Sequence, residues 1–235
     1  MISVNHLSHS FGPHWALKDL TFNLGKGEFL FLTGPSGAGK STLLRLLFAD
    51  LALQRGEAQV AGFQLNKLPD SQIPLLRRQV SVVFQDFKIL PYRTVYENII
   101  LPLHVRGMTT AHADRRVKAV MRALGLEKRM NILCADISGG EQQRVAVARA
   151  FVVNPQILLA DEPTGNLDPE LSFRLMDLFK QFQTYGTTMI VATHSPDLLE
   201  RHPDARLMRL EEGMITEANW AGATLYRGAA EREGL

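Results

Sequence analysis

The stretch that decides the fold is Gly34-Pro35-Ser36-Gly37-Ala38-Gly39-Lys40-Ser41, which matches the pattern G-x-x-x-x-G-K-[ST]. It follows the apolar run 28–33, a predicted strand, and opens a predicted helix at 41–50. Glycines let the backbone N–H groups of such a loop point inward around phosphates, and the start of the following helix adds partial positive charge. We therefore predict phosphate contacts from this loop through Thr42, with Lys40 reaching the β- and γ-phosphates. The alternative is a plain Gly-rich turn between strand and helix.

A second group of candidate site residues ends the apolar run Ile157-Leu158-Leu159-Ala160-Asp161-Glu162. The apolar residues predict a buried strand, and the two carboxylates stand at its carboxyl end, where ligands bind in parallel sheets. We predict that Asp161 holds Mg²⁺ through water or through Ser41. Glu162 is predicted to orient and polarise the attacking water as the general base. An apolar strand that ends in Asp-Glu is common, so this prediction depends on the phosphate loop upstream.

The segment Ser138-Gly139-Gly140-Glu141-Gln142-Gln143-Arg144 has two interpretations. Ser138 and Glu141, three residues apart, form a capping box, which starts a helix. The same Ser-Gly-Gly at a helix start also presents free N–H groups and a helix dipole, which favour an anion. One nucleotide does not easily need two such sites on one chain. A second chain that faces the first would account for both sites.

The remaining pattern predicts a mixed α/β core with a helical insertion at about 86–154. Further strands are predicted at 2–7, 20–24, 80–84 and 189–193, with a hairpin over 54–65 that turns at Gly56 and Gly62. Further helices are predicted at 95–103, 110–124, 141–153 and 169–185. The helix at 169–185 lies between two apolar runs, which indicates a right-handed parallel crossover. The chain after residue 220 is predicted to be a loose tail.

Composition and charge narrow the class of protein. The 235 residues are 46% hydrophobic and 21% charged, which is typical of a globular protein with a substantial core. With 26 basic and 24 acidic residues, the net charge of +2 is too balanced to indicate nucleic-acid binding. We expect no membrane span and no secretory signal. The single cysteine, Cys134, excludes an internal disulfide and is expected to be a small, half-buried apolar residue.

Together these motifs resemble those of the ATP-binding cassette (ABC) ATPases. Ser138-Gly139-Gly140-Glu141-Gln142, which begins 23 residues before Asp161, is similar to the signature motif of that family. The residue directly before it is Ile137, where the family usually has Leu. Because an apolar residue is kept at this position, we expect little consequence for the motif. The other resemblances follow the family's order: Phe11 for the aromatic residue that stacks on adenine, Gln85 for the Q-loop, Asn166-Leu167-Asp168 for the D-loop, and Thr193-His194 for the switch histidine.

Each of these single residues also has an ordinary explanation. Phe11 alone fits a core position, and a contact with adenine fits the neighbouring His14 or Trp15 as well. Gln85 alone fits a polar loop residue, and His194 alone fits a structural histidine. Only their order along the chain favours the roles that the family implies.

The resemblance implies an α/β fold: a P-loop ATPase with a mixed sheet core, an antiparallel β subdomain and a helical subdomain. It implies one ABC ATPase domain over 1–235. The RecA-like core and the N-terminal β subdomain would occupy 1–85 and 155–220, the helical subdomain 86–154, and the loose tail 221–235.

The resemblance also implies the cofactors, the site residues and a first partner. ATP and Mg²⁺ would be bound, and two copies of the chain would pack head to tail as an ATP-dependent homodimer. Ser138, Gly139 and Gly140 of one copy would close over ATP held on the phosphate loop of the other, with Asp168 nearby. Gln85, as a ligand of Mg²⁺, would act in hydrolysis together with Glu162 and His194.

A second partner is implied by Phe84-Gln85-Asp86-Phe87-Lys88-Ile89-Leu90-Pro91-Tyr92-Arg93-Thr94-Val95-Tyr96-Glu97-Asn98. This segment resembles family members that act in cell division, and the family receives its membrane subunit at the Q-loop and helical lobe. The resemblance implies an integral membrane subunit that docks from Gln85 to about Arg106, at the cytoplasmic face of the bacterial plasma membrane.

Three other functions stay open. The first is the ATPase subunit of a lipoprotein or small-molecule exporter. The second is an ABC ATPase that acts on DNA or ribosomes, although the basic extensions, coiled coils or second cassette of such proteins are missing here. The third is a scaffold that binds ATP without turnover, which the intact Glu162 and His194 disfavour.

Overall fold

Two β-sheets and seven α-helices form the computed structural model, within the residues 1–226 that the structure describes. The strands are β1 (Ile2–Phe11), β2 (His14–Leu24), β3 (Phe29–Thr33), β4 (Arg55–Val60), β5 (Phe63–Gln64), β6 (Val80–Val83), β7 (Ile157–Asp161), β8 (Thr188–Ala192), β9 (Arg206–Glu211) and β10 (Met214–Ala218). The helices are α1 (Lys40–Leu47), α2 (Ile73–Gln79), α3 (Val95–Val105), α4 (Thr110–Ala123), α5 (Gly139–Phe151), α6 (Pro169–Thr184) and α7 (Pro196–Glu200).

The larger sheet has the strand order β10-β9-β3-β8-β7-β6. All neighbours are parallel except β10, which runs antiparallel to β9, so the sheet is mixed as predicted. Helix α6 joins β7 to its parallel neighbour β8, which confirms the parallel pairing predicted there. The carboxyl ends of β3, β6, β7 and β8 therefore meet at one edge of the sheet.

Both faces of this sheet are covered, as strand β3 illustrates. Successive side chains of a strand point to opposite faces. Phe29 and Phe31 pack into one hydrophobic cluster with residues of α3 to α6, whereas Leu30 and Leu32 pack into another with α1 and the smaller sheet. All five residues of β3 are buried, which explains why the sequence is continuously apolar there.

The smaller sheet is antiparallel, with the order β2-β1-β4-β5. Its first two strands are longer than predicted, because left-handed residues at His6 (φ 50°) and Asp19 (φ 54°) interrupt the alternation without ending the pairing. Gly62 turns the chain between β4 and β5 as predicted. The prediction for Gly56 was wrong. It lies inside β4 at φ 83°, where a Cβ atom would stand 2.3 Å from the carbonyl oxygen of His6.

Helices α3, α4 and α5 lie between β6 and β7 in the chain and pack on one another. The predicted capping box at the start of α5 is confirmed: the hydroxyl of Ser138 accepts from the Glu141 N–H, and the Glu141 carboxylate accepts from the Ser138 N–H. Cys134 is completely buried rather than half-buried, and its Sγ atom lies 3.2 Å from Nδ2 of Asn98.

The beginning of the predicted loose tail is attached to the fold. The N–H of Asn23 donates to the carbonyl of Gly222, the N–H of Thr224 to that of Thr21, and the N–H of Tyr226 to that of Ile215. The prediction is therefore corrected for residues 221–226, and its remainder, 227–235, lies outside the described residues. Over residues 1–226, no helix combines the length and the apolar character needed to cross a membrane.

Candidate nucleotide-binding site

A cleft of about 690 Å³ opens where the strands β3, β6, β7 and β8 end. This volume is in the range of ~300–1,000 Å³ that is usual for small-molecule sites. The cleft brings together most of the predicted site residues, namely Phe11, Gly34, Pro35, Ser36, Gly37, Ala38, Gly39, Lys40, Ser41, Thr42, Gln85, Asp161, Glu162 and His194. Ala16, which no sequence motif indicated, also lines it.

Two glycines of the loop between β3 and α1 are required by its backbone. Gly34 has φ 133°, and a Cβ atom there would lie 2.0 Å from the carbonyl oxygen of Leu210. Gly39 has φ 102°, and its Cβ atom would lie 2.5 Å from the carbonyl oxygen of Ala16. Helix α1 begins directly after Gly39 without a side-chain cap, so the first N–H groups of the helix have no intrahelical partner, and Lys40, Ser41 and Thr42 line the cleft. This arrangement favours an anion.

The ammonium group of Lys40 lies over the same loop. Its Nζ donates to the carbonyl oxygens of Gly34, at 2.8 Å, and Pro35, at 3.0 Å. Neutral carbonyls are weaker partners for an ammonium group than phosphate oxygens are. A phosphate in the cleft can therefore replace them.

Two carboxylates stand side by side at the end of β7. Burial raises the pKa of Asp161, although a hydrogen bond from Ser41 acts in the opposite direction. The neighbouring Glu162 raises it further, and Lys40 lowers it. A cation close to Asp161 would favour the ionised carboxylate.

Glu162 is held in an unusual backbone conformation, with φ 48°. Its N–H donates to the carbonyl of Ala192 in β8 at 3.0 Å. Its Oε1 lies 2.8 Å from Nδ1 of His194, which approaches from the exposed side of the cleft. The carboxylate is therefore held in the same cleft as the phosphate loop, with His194 as its hydrogen-bond partner.

The residues around the loop fit Mg²⁺ that arrives with a nucleotide. Ser41, Gln85 and Asp161 all line the cleft and carry the oxygen ligands that Mg²⁺ prefers. Within residues 1–226, no group of three or more His, Cys, Asp and Glu side chains could enclose a metal. Mg²⁺ usually takes one or two carboxylates and completes its shell with phosphates and water, so an enclosing cluster is not needed.

Phe11 lies at the rim of the cleft and is 49% exposed, so it is not a core residue. Its ring meets His9 edge to face, with ring centroids 4.9 Å apart. The guanidinium of Arg55, by contrast, lies over the ring of Trp15, with its Cζ atom 5.1 Å from the ring centroid, and Trp15 does not line the cleft. Of these two aromatic residues, Phe11 is therefore the one that lines the cleft.

The remaining predicted residues lie outside this cleft. Ser138 and Gly139 are exposed at the start of α5, where Gly140 packs against the loop that follows β7. Asp168 caps α6, and its Oδ1 accepts from the Leu171 N–H at 2.9 Å. Within one chain, the structure does not bring these four residues to the phosphate loop.

Comparison with known proteins agrees with this fold and site. The family model described as ABC transporter matches residues 17–165. The chain therefore belongs to the ABC transporter family, as an ATP-binding subunit.

Within the family, the chain is similar to curated proteins named Cell division ATP-binding protein FtsE. The FtsE of Streptococcus pneumoniae (strain D39) is 45% identical over 213 residues, which cover 90% of this chain and 91% of the relative. That of Escherichia coli K12 is 42% identical over 216 residues, covering 92% and 97%.

Solved structures give the same result. The dimeric post-hydrolysis state of the ATP-binding cassette MJ0796, bound to ADP and Pi, has a TM-score of 0.86 and 32% identity. The match covers 93% of this chain and 98% of that one. A second dimeric structure of MJ0796 matches with the same TM-score and 33% identity. The predicted fold class and family resemblance are thereby confirmed.

Proposed function

We propose that this chain binds ATP with Mg²⁺ and hydrolyses it as the nucleotide-binding subunit of a membrane complex that acts in bacterial cell division. Membership of the ABC family makes the chain an ATPase. The observation that carries the catalytic part is the Glu162–His194 pair beside the phosphate loop, with Oε1 and Nδ1 2.8 Å apart. The role in cell division rests on the similarity to FtsE over nine-tenths of the chain.

The phosphate loop and the carboxylates of Asp161 and Glu162 have different roles in hydrolysis. Backbone N–H groups of 34–42 hold the phosphates, and Lys40 transfers its hydrogen bonds from the loop carbonyls to the β- and γ-phosphate oxygens. Ser41, Gln85 and Asp161 would hold Mg²⁺, which neutralises charge that develops on the phosphates. Glu162 accepts a proton from the attacking water, and His194 keeps its carboxylate in place.

A second copy completes the site in this proposal. Ser138 and Gly139 are exposed and Gly140 is half-buried at a helix start, away from the cleft of their own chain. A helix start of this kind binds anions. Placed against the cleft of a facing chain, the three residues would close over the γ-phosphate, with Asp168 at the same interface. The dimeric structures of MJ0796 support a homodimer.

A separate groove of about 540 Å³ lies between β6 and α3 and is the proposed dock for a membrane subunit. Leu101 and Val105 stand exposed on α3 beside it. Its floor is fixed by Arg149, whose guanidinium donates to the carbonyls of Phe87, at 2.7 Å, and Lys88, at 2.6 Å.

The groove combines apolar side chains with basic ones, among them Arg77, Arg78 and Arg106, and such a lining suits a short amphipathic helix of a partner. We propose an integral membrane subunit of the FtsX type as that partner, with this chain held at the cytoplasmic face of the plasma membrane. The region 86–154 would be the helical subdomain that meets the partner, and 1–85 with 155–220 the nucleotide-binding core.

Replacing the proposed base tests this function. Glu162→Gln keeps the size of the side chain but cannot accept the proton, so hydrolysis should slow roughly 100-fold or more while ATP still binds. Phosphate release with and without the co-purified membrane subunit is the measurement, and Glu217→Gln, on the exposed side of β10, is the matched control. A Glu162→Gln variant that turns over at the wild-type rate would refute the assignment.

A further inference from the structure

Gln143 is a buried side chain that links two parts of the catalytic machinery. It lies in the second turn of α5 and is 1% exposed. Its Nε2 donates to the carbonyl of Glu162 at 3.0 Å, and its Oε1 accepts from the N–H of Asn166 at 3.1 Å. Because both ends of the buried amide are satisfied, the side chain holds the loop 162–166 in one arrangement.

The loop needs such support at Glu162. A non-glycine residue at φ 48° is in a strained region, which persists only when the surrounding structure enforces it. On one side, the N–H of Glu162 donates to Ala192 in β8. On the other, its carbonyl accepts from Gln143 and, at 3.2 Å, from the N–H of Gly165. The direction of the carboxylate follows from this backbone, so Gln143 helps to aim it at His194.

The same helix begins with the exposed signature residues. Gly140 and Gln143 are three residues apart and therefore share a face of α5. A Cβ atom at Gly140 would lie 3.2 Å from the carbonyl oxygen of Asn166 and 3.3 Å from Leu167, so the first turn packs directly on the loop that Gln143 binds. Movement of the start of α5 must therefore move this loop as well.

We propose that Gln143 is a positioning residue for hydrolysis. It holds the left-handed peptide of Glu162, and it ties that residue to the signature helix of its own chain. When Ser138–Gly140 engage the nucleotide of a facing copy, Gln143 passes that movement to Glu162. The inference rests on the proposed function, in which Glu162 is the base and the signature residues act on a second chain.

Gln143→Met is the first test, because methionine has nearly the same length but neither donates nor accepts these hydrogen bonds. In single-turnover hydrolysis by the full chain, the rate constant should fall roughly 10- to 100-fold. The ATP concentration that gives half the maximal rate should stay within about twofold of the wild-type value.

Asn219→Leu is the matched control. The amide of Asn219 also bridges two backbone groups, accepting from the N–H of Leu207 at 2.8 Å and donating to the carbonyl of Ala205 at 2.9 Å, but it does not line the cleft. Although Asn219 is more exposed than Gln143, its loss breaks two hydrogen bonds and should lower the Tm, yet leave the hydrolysis rate unchanged.

Gln143→Glu is the second variant, and it carries the test if Gln143→Met does not fold. Its ionised carboxylate keeps the acceptor for Asn166 but places a negative charge, instead of a donor, against the carbonyl of Glu162, so its rate should fall at least as far as that of Gln143→Met. Combined with Glu162→Gln, either variant should still dimerise with ATP, because ATP binding does not depend on the orientation of the side chain at position 162.

The inference is overturned if either Gln143 variant hydrolyses ATP within about twofold of the wild-type rate, or if Asn219→Leu slows hydrolysis equally. Its failure is distinct from failure of the proposed function. Fast hydrolysis by Glu162→Gln contradicts the proposed base, whereas slow Glu162→Gln with fast Gln143 variants contradicts only the role of Gln143.

Discussion

At the scale of single residues, Lys40 shows how much of the nucleotide site one chain forms by itself. Its position in the motif predicts contact with phosphate, and the structure adds that its ammonium group lies on the carbonyls of Gly34 and Pro35, facing the cleft. That detail depends on the left-handed backbone of Gly34 and Gly39, which the loop geometry requires and a residue pattern cannot specify.

The first prediction concerns this lysine. Lys40→Ala removes charge-assisted hydrogen bonds worth about 3 kcal/mol, so the affinity for ATP should weaken roughly 100-fold. Isothermal titration with ATP and Mg²⁺ measures this. Lys26→Ala, in the exposed turn before β3, should bind as the wild type does. Undiminished affinity in Lys40→Ala would contradict the phosphate-loop assignment.

The site residues that sequence reasoning missed make contacts between distant parts of the chain. Gln143 bonds to Glu162 and Asn166, which are 19 and 23 residues away. Arg149 bonds to Phe87 and Lys88, which are 62 and 61 residues away. Their partners are backbone atoms, so no pairing of residue types marks them in the sequence. Only the packing of α5 against its neighbours creates these contacts.

At the scale of elements, helices and buried strands with a strong apolar pattern could be predicted to within a few residues. The pair β9–β10 was missed because its charged and apolar residues alternate weakly, and its pairing with β3 is a tertiary contact. Helix α2 was missed because seven residues are too few for a helical pattern to stand out. The capping box of α5 was predicted because it is a local motif.

The second prediction concerns that capping box. A hydrogen bond from Arg129, supported by the N–H of Ser138, lowers the pKa of Glu141 to about 2. Because the folded pKa lies below the ordinary value of 4.5, the carboxylate stabilises the fold above pH 4.5, and this stability is lost as the pH falls toward about 2. Glu141→Gln should therefore lower the free energy of unfolding at pH 7. The decrease should be only about 1 kcal/mol, because Arg129 is half-exposed and solvent screens its ion pair with Glu141.

Urea denaturation of wild type and variant between pH 7 and pH 3 measures this difference, which should shrink below pH 4.5. Glu127→Gln, which removes an exposed carboxylate paired with Arg122, is the control and should change stability little. A difference that stays constant across this range would show that the charge of Glu141 does not stabilise the start of α5.

At the scale of the whole molecule, one helix links three of the proposed functional regions. Helix α5 begins at the exposed signature residues, binds the loop of Glu162 through Gln143, and fixes the floor of the groove through Arg149. A partner in the groove and a nucleotide at the facing site can therefore act on the same rigid element.

The third prediction tests the groove. Val105 is 67% exposed at the end of α3, so Val105→Asp places a charge beside the groove without disturbing the core. Recovery of the membrane subunit with the tagged chain should fall roughly 10-fold or more. Tyr185→Asp is the control, since Tyr185 is 84% exposed at the end of another helix, α6, and does not line the groove. Equal recovery with both variants would mean that the partner docks elsewhere.

The most direct test of the shared site is the mass of the Glu162→Gln chain in solution, because this variant should hold ATP without consuming it. With ATP and Mg²⁺, light scattering should give a species of twice the 26.2 kDa of one chain. With ADP, or without nucleotide, it should give the mass of a single chain. A variant that binds ATP and keeps the single-chain mass would contradict the account, because Ser138, Gly139 and Gly140 would then have no second nucleotide to close upon.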